Sequence, residues 1–349
     1  MTYCAAWKNK GSIYLLADMV AAVSIPPNRR QISLGELLTT VRGEPVEEAT
    51  LKLHCIAPGT VVACTGDSEQ AVQIIEFLRG EQGGSASNVE LLSMLERQIV
   101  PFRADSAVSL LVASSGSGRT AELLRWTAAK GLDQSGSDFF EIGSDTPYHE
   151  ALSPELRSIL ASGDLTPDRV LPVLTAIVQS CGAHDCKIDM NVEGLVFGLR
   201  TEGGVVDWQD DTLVVLYDQT FAASTHVAVI ASEHGLVVHS SESNAVRLFS
   251  PVAPMRPGSP GKASWLREIQ TRLASDRFRH RVFISTSDKI VTLIIRNDIE
   301  RESRYLRLKA RGNGQFDLAL SPELTALLQR PLHDRNQGAI PLQLSVRED

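Results

Sequence analysis

The order of the predicted strands and helices constrains the fold of this chain most strongly. Apolar runs of strand length at 2–8 and 12–18 flank a Gly-containing turn, and a second pair at 51–56 and 60–65 flanks a Pro-Gly turn. Two helices, further strands, two more helices and further strands follow, without strand-helix-strand alternation. This order predicts two sheets packed face to face with helices on both outer sides, a four-layer αββα sandwich of the α+β class.

Capping residues and hydrophobic periodicity predict where the helices begin. Asp67 caps a helix with a buried apolar stripe, and Ser87 with Glu90 forms a capping box ahead of the next helix. Thr166 and Pro167 begin a later one, and Gly182 is expected just past its end. The remaining elements of the first 218 residues are a helix at 147–161 and strands at 107–113, 120–127, 138–143, 193–200, 204–208 and 211–217.

A change in composition predicts the domain organisation. Residues 1–218 supply enough chain for the sandwich, and 219–349 read as a C-terminal α+β appendage. Within the appendage, 251–262 is rich in Pro and Gly and is predicted to be a linker or long loop.

Charge is unevenly distributed along the chain. The formal net charge is −8, yet residues 247–311 carry +9 and the rest therefore −17. A basic segment of this kind fits either an acidic partner or an ordinary solvated face. It lacks the clustered aromatic side chains that would stack on nucleic acid bases.

Several classes of protein are excluded or disfavoured. No apolar run approaches the roughly 18 residues needed to span a bilayer, and the N-terminus lacks the layout of a secretory signal. Five sparse cysteines are more typical of reduced thiols than of a disulfide framework. We therefore expect a cytoplasmic protein without a membrane partner. Cys181, His184 and Cys186 lie close in sequence but lack a second ligand pair, so neither a metal nor a cofactor is predicted.

Thr2 follows the initiator Met in the opening sequence MTYCAAWKNKGSIYLLADM. After loss of Met1, an N-terminal Thr carries a hydroxyl nucleophile beside an α-amine, whose ordinary pKa of about 7.7–8.0 suits a general base. While Met1 is present, that nitrogen is an amide and cannot take up a proton. Thr2 is therefore either the nucleophile of a hydrolase that requires removal of Met1, or simply the first residue of a strand.

Features dispersed over residues 2–218 resemble the proteasome β-subunit family of N-terminal nucleophile hydrolases, and among them the bacterial proteasome homologues called Anbu. That family has an N-terminal Thr, an Asp near the end of the second strand and a Lys at the next strand. A Gly after the following strand, a Gly-Ser pair opening the third helix and an Asp before a later strand complete the pattern. The matching residues here are Thr2, Asp18, Lys52, Gly66, Ser144 and Asp189.

The resemblance implies that three of these residues form the reacting centre. Thr2 Oγ would attack an amide or peptide carbonyl. The Lys52 ammonium would lower the pKa of the Thr2 amine and hydroxyl, and Asp18 would hold Lys52 charged and oriented. From the residues alone, Asp18 also fits a strand-end turn and Lys52 a solvated strand position.

The other three residues would support the reaction. The Gly66 N–H would face the developing oxyanion, and the loss of one such donor typically slows a reaction about 10²–10³-fold. Ser144 and Asp189 would hydrogen-bond near the amine and relay its proton. The competing interpretations are a turn glycine, a helix cap and a loop acid.

Three features depart from the family pattern. Val20 stands where many members have Arg, Val192-Glu193 replaces a Ser-Gly pair, and the segment between Asp18 and Lys52 is long. The leading hypothesis is a threonine-type peptidase acting on peptide or protein substrates within a self-assembled ring or stacked oligomer. The alternatives are an inactive scaffold of the same fold, acting through the basic appendage, and a non-proteolytic amidohydrolase.

Overall fold

The computed structural model describes most of the chain. The described residues are 3–22, 46–48, 51–81, 87–98, 108–116, 120–133, 135–143, 147–163, 165–184, 194–218, 225–232, 235–241, 245–249, 271–272, 275, 277–285, 290–312, 315–328 and 343–349.

Two compact units divide these residues. The first comprises the described parts of 1–22, 48–171 and 191–209, and the second comprises those of 23–47, 172–190 and 210–349. The elements up to residue 209 are, in chain order, β1 (Tyr3–Asn9), β2 (Ser12–Asp18), β3 (Val20–Ala22), β4 (Val46–Glu48), β5 (Leu53–Ala57), β6 (Thr60–Thr65), α1 (Ser68–Glu81), α2 (Asn88–Gln98), β7 (Ser109–Ser114), β8 (Glu122–Thr127), β9 (Gly131–Asp133), β10 (Phe139–Gly143), α3 (Pro147–Ala161), α4 (Pro167–His184), β11 (Val196–Glu202) and β12 (Val205–Trp208).

Two five-stranded antiparallel sheets form the centre of the first unit. The first sheet has the order β10-β1-β2-β11-β12 and the second has the order β5-β6-β7-β8-β9. Alternate side chains of β1 and β2, such as Cys4 and Leu15, meet Val61 and Leu111 of the second sheet in one buried apolar cluster. This buried cluster lies between the two sheets. The short strands β3 and β4 pair separately with each other.

Helices α1 and α2 cover the outer face of the second sheet. Ile74 and Leu78 of α1 and Leu92 of α2 pack with Val62 and Trp126 of that sheet. The caps predicted from sequence are present: Asp67 accepts the N–H of Gln70 at 2.9 Å. Ser87 and Glu90 exchange hydrogen bonds as a capping box does, with the Ser87 N–H donating to Glu90 and the Glu90 N–H to Ser87 Oγ.

Helix α3 meets the first sheet at its edge strand β10. The Arg157 guanidinium of α3 lies 4.4 Å from the centre of the Phe139 ring. Phe139 is on the face of β10 opposite Phe140, which belongs to the interior between the sheets. The predicted α+β class is confirmed, and three layers, helix-sheet-sheet, are documented by these clusters.

A seven-stranded mixed sheet dominates the second unit. Its order is β16-β15-β14-β13-β17-β18-β21, with parallel pairing of β13 with β17 and of β18 with β21. A buried cluster on one face includes side chains of the helix α5. The elements are β13 (Thr212–Tyr217), β14 (Thr225–Ser232), β15 (Gly235–Ser240), β16 (Ala245–Phe249), β17 (His280–Ser285), β18 (Ile290–Ile295), the hairpin β19 (Leu306–Gly312) and β20 (Gln315–Leu320), α5 (Pro322–Leu328) and β21 (Gln343–Glu348).

The boundary between the units differs from the expected one. The sequence predicted a first domain ending at residue 218, but β13 hydrogen-bonds to β14 and β17 of the second unit. The last change from the first unit to the second therefore falls between Gln209 and Asp210, and residues 172–190 of the predicted first domain also belong to the second unit. The predicted linker at 251–262 lies outside the described residues. Across the part of the chain that is described, no helix combines the length and apolar character needed to cross a membrane.

Candidate active site

Strand register brings several chain segments to one end of the first sheet. At this end Tyr3 pairs with Gly143, and Asp18 pairs with Val196. The Met19 N–H also donates to the Leu195 carbonyl at 2.9 Å. The beginnings of β1 and β11 and the ends of β2 and β10 therefore lie side by side.

Lys52 reaches this end from the second sheet. It directly precedes β5, and its carbonyl accepts the N–H of Cys64 on β6 at 3.0 Å. The Lys52 ammonium donates to Asp18 Oδ1 and forms an ion pair with that carboxylate. Asp18 Oδ2 accepts the backbone N–H of Tyr3 at 3.3 Å. One carboxylate thus links the start of β1 to a cation held by the other sheet.

Both members of this ion pair are removed from solvent. Asp18 is 0% exposed and Lys52 is 6% exposed. Burial raises the pKa of the Asp18 carboxyl to about 6, although the Lys52 ammonium and the Tyr3 N–H act to lower it. At neutral pH the carboxyl is therefore ionised and can hold the ammonium in place.

Two thiols lie next to the ion pair. Cys4 Sγ donates to the Cys64 carbonyl at 3.8 Å, and both side chains are buried. Burial raises the pKa of the Cys64 thiol to about 11 and that of the Cys4 thiol well above its usual range, against the lowering effect of Lys52. Because both thiols are neutral, Asp18 is the residue that supplies the negative charge opposite Lys52 among these four side chains.

Gly66 lies at the same end of the second sheet. It follows β6 directly and stands two residues after Cys64, whose N–H binds Lys52. Its φ of +103° is strained for any residue with a side chain, which explains a glycine at this position. The structure therefore brings Asp18 and Lys52 into contact. Gly66 is two residues from Cys64, which is hydrogen-bonded to the Lys52 backbone.

Thr2, Ser144 and Asp189 lie outside the described residues. Two of them adjoin described residues at the site: Thr2 precedes Tyr3, and Ser144 follows Gly143, the ladder partner of Tyr3. Their assigned roles remain predictions.

The sequence interpretation missed one interaction at this end. The Tyr3 hydroxyl donates to Glu141 Oε1 of β10 at 2.8 Å. A buried tyrosine hydroxyl needs a partner. The position of Tyr3 directly after the candidate nucleophile could have drawn attention to this residue. Its partner Glu141 could not be predicted, because it depends on the pairing of β1 with β10.

The arrangement has a specific chemical capability. A charged ammonium fixed in a poorly solvated site lowers the pKa of a nearby amine or hydroxyl more strongly than it would in water. Among the described residues, no three His, Cys, Asp or Glu side chains are grouped to hold a metal. The side chains of Cys181, His184 and Cys186, which lie close in sequence, are outside the described part of the chain.

Part of the basic segment is engaged in ion pairs within the second unit. Several of its described arginines pair with neighbouring acids, for example Arg272 with Asp211 and Arg277 with Glu300. The others in such pairs are Arg279, Arg281, Arg301, Arg304 and Arg307. Internal pairing reduces the charge left for an acidic partner, which remains a prediction.

No protein-family model matches this chain, and no curated protein matches it. The resemblance to proteasome β subunits therefore remains an expectation from the sequence.

Proposed function

We propose that this chain is an N-terminal threonine hydrolase of the proteasome β-subunit type, which cleaves peptide bonds after Met1 is removed. The observation that carries the proposal is the buried Asp18–Lys52 ion pair, bound through Asp18 to the N–H of Tyr3. Burying two charges costs several kcal/mol per ion, and a well-packed apolar pair is often at least as stable. A catalytic role would explain why this costly ion pair is buried next to Tyr3, the residue that follows Thr2.

The proposed reaction begins at Thr2 Oγ. The free α-amine takes the hydroxyl proton as Oγ attacks the substrate carbonyl, and the Lys52 charge keeps the pKa of the amine low enough for this role. The tetrahedral oxyanion accepts the Gly66 N–H. The amine then returns the proton to the leaving nitrogen, the C–N bond breaks and an ester forms at Oγ. Water, deprotonated by the same amine, hydrolyses the ester and regenerates Thr2.

The wider setting belongs to the same proposal. A complete αββα sandwich, with a helical layer over the first sheet, is the fold we infer, and the Arg157–Phe139 contact supports the position of α3 in that layer. Self-association into a ring or stack would enclose the sites, and Ser144 and Asp189 would assist the amine.

Intact mass spectrometry tests the nucleophile directly. The purified protein is measured before and after treatment with a peptide epoxyketone. We expect loss of Met1 and a one-to-one adduct that is retained in Thr2→Ser and absent in Thr2→Ala. Retention of Met1 without any adduct would contradict the proposal and favour the inactive scaffold. An adduct without cleavage of any member of a peptide library would favour a non-proteolytic amidohydrolase.

A further inference from the structure

Tyr3 is anchored through both its backbone and its side chain. Its N–H donates to Asp18 Oδ2 at 3.3 Å, and its hydroxyl donates to Glu141 Oε1 at 2.8 Å. The residue is 0% exposed. The first described residue of β1 is therefore fixed to the end of β2 on one side and to β10 on the other.

The hydrogen bond to Glu141 adds a second constraint to the ladder between β1 and β10. Tyr3 lies opposite Gly143, and Ala5 lies opposite Glu141, so the side-chain bond runs diagonally across the pair. The ladder fixes which residues are paired, and the diagonal bond restricts sliding and rotation of the strand start.

Strand β10 is itself held firmly where it carries Glu141. The Arg157 guanidinium lies 4.4 Å from the Phe139 ring centre, and the Arg125 guanidinium lies 5.2 Å from that of Phe140. Successive side chains of a strand point to opposite faces, so these cation–π contacts hold β10 from both sides. Glu141 follows directly and accepts the Tyr3 hydroxyl from a fixed strand.

We propose that Tyr3 and Glu141 are positioning residues for the N-terminal nucleophile. Thr2 is joined to Tyr3 by one peptide bond, so the Tyr3–Glu141 hydrogen bond limits how far the start of the chain can shift from β10. The inference rests on the proposed function, since it assigns these residues to the reaction of Thr2. A displacement of about 1 Å at a reacting group can slow a reaction about 10²-fold, so a modest loosening is measurable.

The test uses the rate of epoxyketone labelling, separated into the inactivation rate constant kinact and the binding constant KI. We expect Tyr3→Phe to lower kinact about tenfold with KI unchanged, because the ring still fills its site and only the anchor is lost. Glu141→Ala should lower kinact to a similar extent, whereas Glu141→Gln, which retains an acceptor oxygen, should stay near the wild-type rate. The double variant Tyr3→Phe/Glu141→Ala should be no slower than either single variant.

Asp207→Ala serves as a matched control. Asp207 lies on β12 of the same sheet, and its exposed carboxylate forms an ion pair with Arg200 of β11. Its kinact should be unchanged. Wild-type labelling with an undiminished kinact in Tyr3→Phe and Glu141→Ala would overturn the positioning role alone. A loss in Glu141→Gln equal to that in Glu141→Ala would also overturn it. Absence of labelling in the wild type would overturn the proposed function and this inference together.

Discussion

The carboxylate of Asp18, the last residue of β2, holds the ammonium of Lys52, the residue before β5, in an ion pair that joins the two stacked sheets. An apolar residue at either position would abolish this electrostatic link. Asp18 Oδ2 also accepts a hydrogen bond from the backbone N–H of Tyr3. Its effects on stability and on reactivity can therefore be separated by substitution.

Lys52→Met leaves the Asp18 carboxyl buried without its cation. We expect the free energy of unfolding to fall by about 3 kcal/mol and epoxyketone labelling to be lost. Adding Asp18→Leu removes the orphaned carboxyl, so the double variant should regain stability but not labelling. Urea unfolding and intact mass measure the two effects. Recovery of labelling in the double variant would show that the ion pair is not required for reactivity.

An exposed ion pair provides the comparison for these variants. Arg200 pairs with Asp207 and Glu202 near the surface of the first sheet. Exposed pairs contribute about 0–1 kcal/mol, so Arg200→Gln should change the free energy of unfolding by less than about 1 kcal/mol. Its labelling should match that of the wild type.

The raised pKa of Asp18 predicts how labelling depends on pH. As the pH falls through about 6, Asp18 becomes protonated and no longer holds Lys52 by charge, so kinact should decrease. Labelling rates measured from pH 5 to 8 at constant ionic strength test this expectation. A rate that is unchanged down to about pH 5 would contradict it.

The same pKa predicts the opposite trend for stability. Burial raises the Asp18 pKa from 3.8 to about 6, so the native state binds a proton that the unfolded chain does not bind between these values. The contribution of Asp18 to stability is thus fully present below 3.8 and is lost as the pH rises through about 6. Urea unfolding should show the wild type gaining about 2 kcal/mol relative to Asp18→Asn between pH 7 and 4.5. A relative loss would mean that the pKa is lowered in the native state.

Gly59 should be intolerant of a side chain. Its φ is +69°, and an added Cβ would lie 2.2 Å from the Ser115 carbonyl oxygen and 2.6 Å from Gly204 Cα, both parts of the backbone. We expect Gly59→Ala to lower the free energy of unfolding by about 2–4 kcal/mol. Gly11→Ala is the control, because nothing lies within 4 Å of its added Cβ. Similar melting temperatures for the two variants would contradict this account.

The buried ion pair between Arg281 and Asp349 should stabilise the second unit. Arg281 is 0% exposed and donates to Asp349 Oδ2 at 3.0 Å, and the Arg304 N–H donates to Asp349 Oδ1 at 3.1 Å. Asp349→Asn removes the buried carboxylate that pairs with this guanidinium, and we expect a loss of about 3 kcal/mol.

The exposed Arg277–Glu300 pair supplies the control for that measurement. Arg277→Gln should cost less than about 1 kcal/mol by urea unfolding. Equal effects of Asp349→Asn and Arg277→Gln would show that the burial of Arg281 does not determine its energetic contribution.

Local sequence patterns were sufficient to predict many element positions. The helix at 147–161 was predicted with its observed bounds, and the two opening strands were placed within a residue. Helix caps and apolar periodicity depend on residues a few positions apart, which explains this success. One helix end was predicted wrongly: α4 continues past Gly182 to His184. Strands such as β9 and β21 were missed, since they are short or lack a strong apolar pattern.

Local sequence patterns predicted the α+β class, the hairpins and the helix caps, and the family resemblance pointed to Asp18 and Lys52 as candidates. That these two side chains meet, that Tyr3 bonds to Glu141 and that β13 pairs with β17 became evident from the folded chain. The difference lies in the sequence separation of the residues involved. A cap or a turn is encoded by adjacent residues, whereas a cross-sheet ion pair or a parallel strand pair depends on which distant segments bury each other's apolar faces.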